Sequence, residues 1–358
     1  MTTLLETRYR AVLRLLPAYY RRDREEEMVE TYLWDVDQDT QDQSRPTVGE
    51  VASIAALAVR SRLGAPGAPR RYATLGSAVR LFALSAVLLQ AASAVVELVL
   101  EVAWAIGRGG AGRHMVLSDF TDHGVLAGAV NAAQWFLPLL WTVAYFALLH
   151  DRRRLAGVSA LIAALPTLWP LFGPLVSDTA PSDPVFAVVF ALFAWLPALA
   201  LCAAHHRDAP PARLPAGSPG LVFMAGCVVM GMSIVLLPAF PDLAWAPANC
   251  FVVGALGWLL WRARREEGTT SDGARPGGAP SDGARSDGVL SGGAPAGGAF
   301  ALAALGLLVL VVRIVSLYPW LHVPVPGAFI GGALAQAAAL ALLTLALAVV
   351  GRRDLAAR

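Results

Sequence analysis

The sequence predicts an all-α, polytopic membrane protein, with about eight transmembrane helices and a small N-terminal three-helix cytoplasmic domain. Three observations carry that prediction. Of 358 residues, 56% are hydrophobic and only 15% are charged, well below the roughly 25% charged residues of an ordinary soluble domain. Beyond Ala73 the chain runs in apolar stretches near the roughly 20 residues that cross a hydrocarbon core as a helix. Arginine alternates between the connecting segments, as topology rules require.

The first 72 residues read as a cytoplasmic helical domain. Leu5, Tyr9, Val12, Leu13 and Leu16 recur at helical spacing between Arg8, Arg10 and Arg14, the pattern of a helix with one buried face. Pro17 ends that helix and opens a second, because proline lacks the amide of an interior turn but suits a first one. The second helix sets Met28, Val29, Tyr32, Leu33 and Val36 on one side, with Asp23, Glu26, Glu27 and Glu30 around the other. Thr47-Val48-Gly49-Glu50 fits a capping box and starts a third helix ending near Leu63. Three such helices can share a seam, although about 60 residues form a marginal domain that gains from leaning on a membrane or partner.

Eight apolar runs follow: Leu81 to Ile106, Val125 to Leu149, Leu155 to Val176, Val185 to Ala204, Leu221 to Pro238, Leu243 to Trp261, Ala299 to Tyr318 and Val325 to Val350. They divide into a six-span membrane domain (78–262), a disordered cytoplasmic linker (263–298) and a two-span hairpin (299–351). The linker is expected to stay unfolded because Gly, Ala, Ser, Asp and Pro supply too little apolar surface to bury. Prolines 138, 197 and 238 are expected to interrupt spans two, four and five, and Pro166, Pro170 and Pro174 recur along span three. Such breaks line substrate paths in many transporters, and are also common kinks accommodated by neighbouring helices.

All 28 basic residues are arginine. They cluster before span one (Arg70, Arg71, Arg80) and after spans two (Arg152 to Arg154), four (Arg207, Arg213), six (Arg262, Arg264, Arg265) and eight (Arg352, Arg353). The intervening loops carry none, except 107–123 with Arg108 and Arg113. Both termini are therefore expected in the cytoplasm and the protein in the plasma membrane. The net charge of +2 and the absence of a basic stripe give nucleic-acid binding no support.

Inside the spans, Glu97 and Glu101 in span one and Arg313 in span seven stand out, because intramembrane charges are costly and face partners or water. The two glutamates are four apart on one helix face, and all three residues fall in the outer half of spans running in the same direction. Two carboxylates sharing one guanidinium leave a negative charge that a proton or cation could neutralise. The same trio could equally be an ion pair that fastens the last two spans to the first six. Gln90, Asn131 and Gln134 are expected to bond between helices. The three cysteines, Cys202, Cys227 and Cys250, read as packing residues, and the histidines near 150 and 205 as helix-end residues rather than metal ligands. No catalytic motif is visible, so neither an enzyme nor a cofactor is expected.

Leu16-Pro17-Ala18-Tyr19-Tyr20-Arg21, followed after four residues by Glu26-Glu27-Met28, resembles the permease-prefix (HAAS-like) module, a cytoplasmic helical prefix that precedes the spans of certain bacterial efflux-type permeases. Pro17, Tyr20, Arg21, Glu26, Glu27 and Met28 match its pattern, and the resemblance covers residues 1–65. It implies an interaction or signalling module whose partner-binding residues are those six. The chain departs from the efflux permeases in lacking a large extracellular domain and in its number of spans, so transport activity is not carried over. The expectation is a membrane-embedded interaction or regulatory protein that contacts the lipid bilayer and a cytoplasmic protein; the alternative is a small-molecule or ion permease using Glu97, Glu101 and Arg313.

Overall fold

A computed structural model describes residues 4–34, 45–64, 68–121, 124–176, 183–205, 218–235, 245–272, 297–322 and 327–356. Among the described residues the secondary structure is entirely helical.

Three short helices form the prefix: α1 (Leu4–Leu13), α2 (Ala18–Trp34) and α3 (Val48–Arg62). Pro17 is buried and stands just before α2, where its carbonyl accepts from the Arg21 amide at 3.1 Å. The capping box forms as the sequence predicts: the Glu50 amide donates to Thr47 Oγ1 at 3.2 Å, and the Thr47 amide to Glu50 Oε2 at 2.7 Å. Tyr9, Leu13, Leu16, Val29, Ile54 and Ala58 make the shared core, edged by Tyr20, Met28 and Tyr32. The Tyr9 and Tyr32 rings stack at 3.9 Å.

The central element is α4 (Arg70–Gly107), a continuous helix of 38 residues. At about 1.5 Å per residue it measures about 57 Å, far more than the hydrocarbon core needs. The expected boundary between prefix and first span therefore falls inside one helix, and its first turns form a stem under the prefix. Ala83, Ala86, Val87, Ala91 and Ala92 on α4 are fully buried. Such small side chains let neighbouring helices approach closely, the main attraction available where lipid is as apolar as the helix surfaces.

Residues 107–123, read above only as a loop, contain a further helix, α5 (Gly109–Thr121), packed on α4. Spans two and three are each interrupted at one proline. Pro138 sits in a 3₁₀ turn between α6 (Gly124–Phe136) and α7 (Leu140–Leu149), and Pro166 in another between α8 (Arg153–Ala164) and α9 (Trp169–Val176), although α9 runs on through Pro170 and Pro174. Asp151, in the left-handed region at φ 55°, turns the chain between α7 and α8, and the Arg152 amide closes that turn on the Ala147 carbonyl at 2.8 Å.

The expected interruption at Pro197 does not occur: α10 (Pro184–Ala204) runs through it unbroken. Pro238 lies outside the described residues. The remaining helices are α11 (Ser218–Val235), α12 (Ala246–Asp272), α13 (Gly298–Leu317) and α14 (Gly327–Ala356). Helix α12 continues through Asp272, so the first ten residues assigned to a disordered linker are helical; residues 273–296 are outside the described set. Cys227 and Cys250 are buried as expected of packing residues, whereas Cys202 is exposed.

Among the described residues, six segments are long and apolar enough to cross a membrane: Arg70–Gly107, Gly124–Leu149, Arg153–Leu175, Pro184–Ala204, Gly298–Trp320 and Ile330–Asp354. That character marks a membrane protein. Half of the most apolar window of α4 is buried, against 22% for the last helix, which puts α4 at the centre and α14 at the lipid-facing edge.

Candidate functional site

Two places gather side chains that carry chemistry. The first lies inside the helix bundle. An added Cβ on Gly297, at the start of α13, would come within 3.0 Å of the Ala78 Cβ on α4, and farther along Arg313 of α13 and Ser93 of α4 both meet the first turns of α12, at Trp245 and Cys250, so α13 and α4 run in parallel. Counting about 1.5 Å per residue from the contact of Gly297 with Ala78, Arg313 lies about 24 Å along α13 and Glu97 about 28 Å along α4. The depths expected to be compatible are therefore brought to one level, with Glu101 one turn beyond.

The Arg313 side chain is buried and its guanidinium lies over the Trp245 ring, 5.5 Å from the centroid, at the start of α12. The Glu97 side chain is exposed. Glu101 is exposed.

Around this trio the structure assembles polar groups that sequence reasoning did not connect. Gln336 Nε2 on α14 donates to Asn249 Oδ1 on α12 at 2.8 Å. The Cys250 thiol, one residue on, lies against Cys227 of α11 and Ser93 of α4. Only Glu97, Glu101 and Arg313 announce themselves by formal charge; Ser93, Asn249 and Gln336 are neutral, and their grouping depends on helix packing. The available signal was position, since Asn249 follows Trp245 by one helical turn.

At the opposite end of the bundle, Arg262 of α12 and Asp354 of α14 form a bidentate pair, both N···O distances 2.6 Å. This pair ties the last helix to α12.

The second place is the prefix. Its six pattern residues separate by role. Pro17 is buried, Arg21 is half-buried, and Glu26 accepts both Arg10 guanidinium nitrogens at 2.9 Å. That bond holds the Glu26 carboxyl below the usual carboxylate range. Tyr20, Glu27 and Met28 instead line an open groove of about 730 Å³, together with Tyr9, Tyr32 and Trp34 among others. Trp34 is 91% exposed and stands at its end.

No protein-family model, curated protein or solved structure matches this chain. The likeness to the permease-prefix module rests on the residues quoted for it.

The groove is coupled to the spans by close contacts. The Tyr19 hydroxyl donates to the Ser61 carbonyl at 2.6 Å, and its ring lies 5.3 Å from that of Tyr72 on the α4 stem. Gly64, at φ 91°, ends α3 in a conformation that favours glycine and lies against Ala73. Gly76 on the stem meets the Leu63 backbone so closely that a Cβ there would collide with the Leu63 carbonyl. Helix α3 also touches α10, so the prefix rests on two membrane helices.

Proposed function

We propose that this chain is a regulatory or interaction protein of the plasma membrane whose N-terminal helices bind a cytoplasmic protein. The observation that carries the reading is the groove: three of the six prefix-pattern residues, Tyr20, Glu27 and Met28, line it, and the domain that holds it is locked backbone to backbone onto α4, the central helix. A partner seated there would act on a lever that continues through the bundle without a joint. In this reading the membrane domain has eight spans. Helices α11 and α12 serve as spans five and six, packed on each other at Gly254 and Phe223 and both on α4. The arginine-bearing connections and both termini lie in the cytoplasm. No catalytic role is assigned.

Affinity capture of the full-length protein from its own membranes tests the reading. A stoichiometric cytoplasmic partner, retained by the native chain and lost on Tyr20→Ala with Met28→Ala while the protein stays folded, is the expected result. Absence of any such partner overturns it.

A second reading has its own observation. The exposed Glu97, counted along its helix to the level of the buried Arg313, suits a small-molecule or ion permease in which a proton or cation offsets the surplus carboxylate. There Glu97→Gln changes a pH-dependent flux in proteoliposomes, and an unchanged flux retires the idea.

A further inference from the structure

The prefix groove has a chemical bias that narrows what can occupy it. Its lining is mostly aromatic and apolar, with Tyr9, Tyr20, Tyr32, Trp34, Met28 and Leu57, and its polar members are Arg24, Glu27 and Thr31. On α2, Asp23, Glu27, Glu30 and Trp34 follow one another at spacings of four, three and four residues, which places them along one flank of the helix. All four are exposed. The opposite flank contributes Arg24, whose guanidinium reaches Glu27 at 3.4 Å between two exposed side chains, so one positive charge stands beside three carboxylates. Of the other two basic residues of α2, Arg21 is half-buried on the side of Met28 and Tyr32, and Arg22 lies about 100° further round the helix. The aromatic trough, with Arg24 and Glu27 in its lining, is thus bordered on one side by an acidic flank of α2 that runs from Asp23 through Glu27 to Glu30.

We infer that the occupant is an amphipathic helix of a partner protein that carries arginine or lysine along one edge of its apolar stripe. The apolar stripe would displace water from Tyr20, Met28, Tyr32 and Leu57, in the manner of a helix laid in a groove. The cations would run along Asp23, Glu27 and Glu30, with one able to stack on the Trp34 indole face, the strongest aromatic partner for a guanidinium. Like-charged segments are rejected by the same flank. This inference rests on the partner-binding reading above and adds the charge and shape of the partner.

The test uses the full-length protein in phosphatidylcholine nanodiscs and fluorescein-labelled synthetic helices with leucine on one face and either arginine or glutamate beside it, read by anisotropy. The arginine helix is expected to bind saturably, the glutamate helix not to bind, and empty nanodiscs to give no signal above background. Glu27→Lys with Glu30→Lys should weaken the arginine helix by at least about tenfold, the loss of one charge-assisted contact, and Trp34→Ser should weaken it independently. Equal binding of both helices, equal binding to empty nanodiscs, no saturable binding of the arginine helix, or indifference to the charge reversal overturns the inference. The two proposals fail separately. A natural partner captured through Tyr20 and Met28 but indifferent to Glu27→Lys with Glu30→Lys defeats only the charge assignment, whereas no captured partner defeats the underlying reading.

Discussion

Gln90 on α4 donates its side-chain amide to the Phe193 carbonyl of α10 at 2.9 Å, in a buried setting. Phe193 precedes Pro197 by four residues, so Pro197 has no amide to give the carbonyl its helical bond. The glutamine of one span thereby repairs the backbone of another, and α10 passes its proline without a break. Gln90→Leu should orphan that carbonyl and lower stability by about 1 kcal/mol, the scale of interhelical hydrogen bonds in membranes. Pro197→Ala restores the helical bond, so the double variant should lose less than the sum of the two single changes. Thermal unfolding of the four proteins in one detergent measures the cycle; strictly additive losses would refute the repair.

Gly76→Ala should release the prefix from the stem. The added methyl meets the Leu63 backbone rather than the far end of a flexible side chain, so the two segments must separate. Overpacking of this kind costs typically about 1–3 kcal/mol, comparable with all that holds a small domain in place. Hydrogen exchange should rise in α1 to α3 while the spans stay protected. Uniform protection across the prefix would show that the contact is dispensable.

The prefix should also have an alkaline limit. Burial pushes the Tyr9, Tyr19 and Tyr32 hydroxyls up from their ordinary value near 10, aided by Glu50 for Tyr9 and Tyr32 and by the neighbouring Tyr72 and Tyr20 for Tyr19. Tyr32 also donates to Glu50 Oε2 at 3.2 Å, and both that bond and the Tyr19 bond to Ser61 require the protonated phenol. A raised folded pKa means the unfolded chain loses its protons first, so the contribution is present in full below pH about 10. It is lost as pH rises from there through the folded values. Tyrosinate absorbance should therefore appear late and together with loss of prefix helicity, and a titration like that of free tyrosine, with no structural change, would exclude the coupling.

Much of this architecture was legible because apolar length and the capping box at Thr47 each answer to one local cause. The breaks at Pro138 and Pro166 were legible for the same reason. Pro197 was not, because its outcome depends on Gln90, 107 positions away in the chain, reaching a carbonyl that no local pattern reveals. The polar group around Arg313 was half legible. Formal charge exposed Glu97, Glu101 and Arg313, while Ser93, Asn249 and Gln336 acquire meaning only once helix packing brings them to one depth. Within the prefix, the pattern named six residues but could not separate those that build the domain from those that face its groove, since Arg10 lies 16 positions before the Glu26 it binds.

The pair Arg262 and Asp354 yields a prediction about how the last two helices stay attached. Helices α13 and α14 follow residues 273–296, which lie outside the described residues, and they also meet the bundle through interfaces of their own. Among the described residues these include the bidentate ion pair, the Asn249–Gln336 amide bond, and the close crossing at Gly306, where an added Cβ would meet Phe251 of α12 and Thr344 of α14. Cutting a protease site inserted within 273–296 should leave the two fragments associated through purification. Asp354→Asn removes a charge-assisted bond at a partly exposed site, where solvent screening limits the loss to about 1 kcal/mol, so the cut protein should stay together but separate at lower detergent stress. Gly306→Leu strikes the crossing itself, where all three helices would have to move, and should dissociate the fragments outright. Fragments that separate on cleavage of the native chain would show that the tether, not the packing, holds α13 and α14 in place.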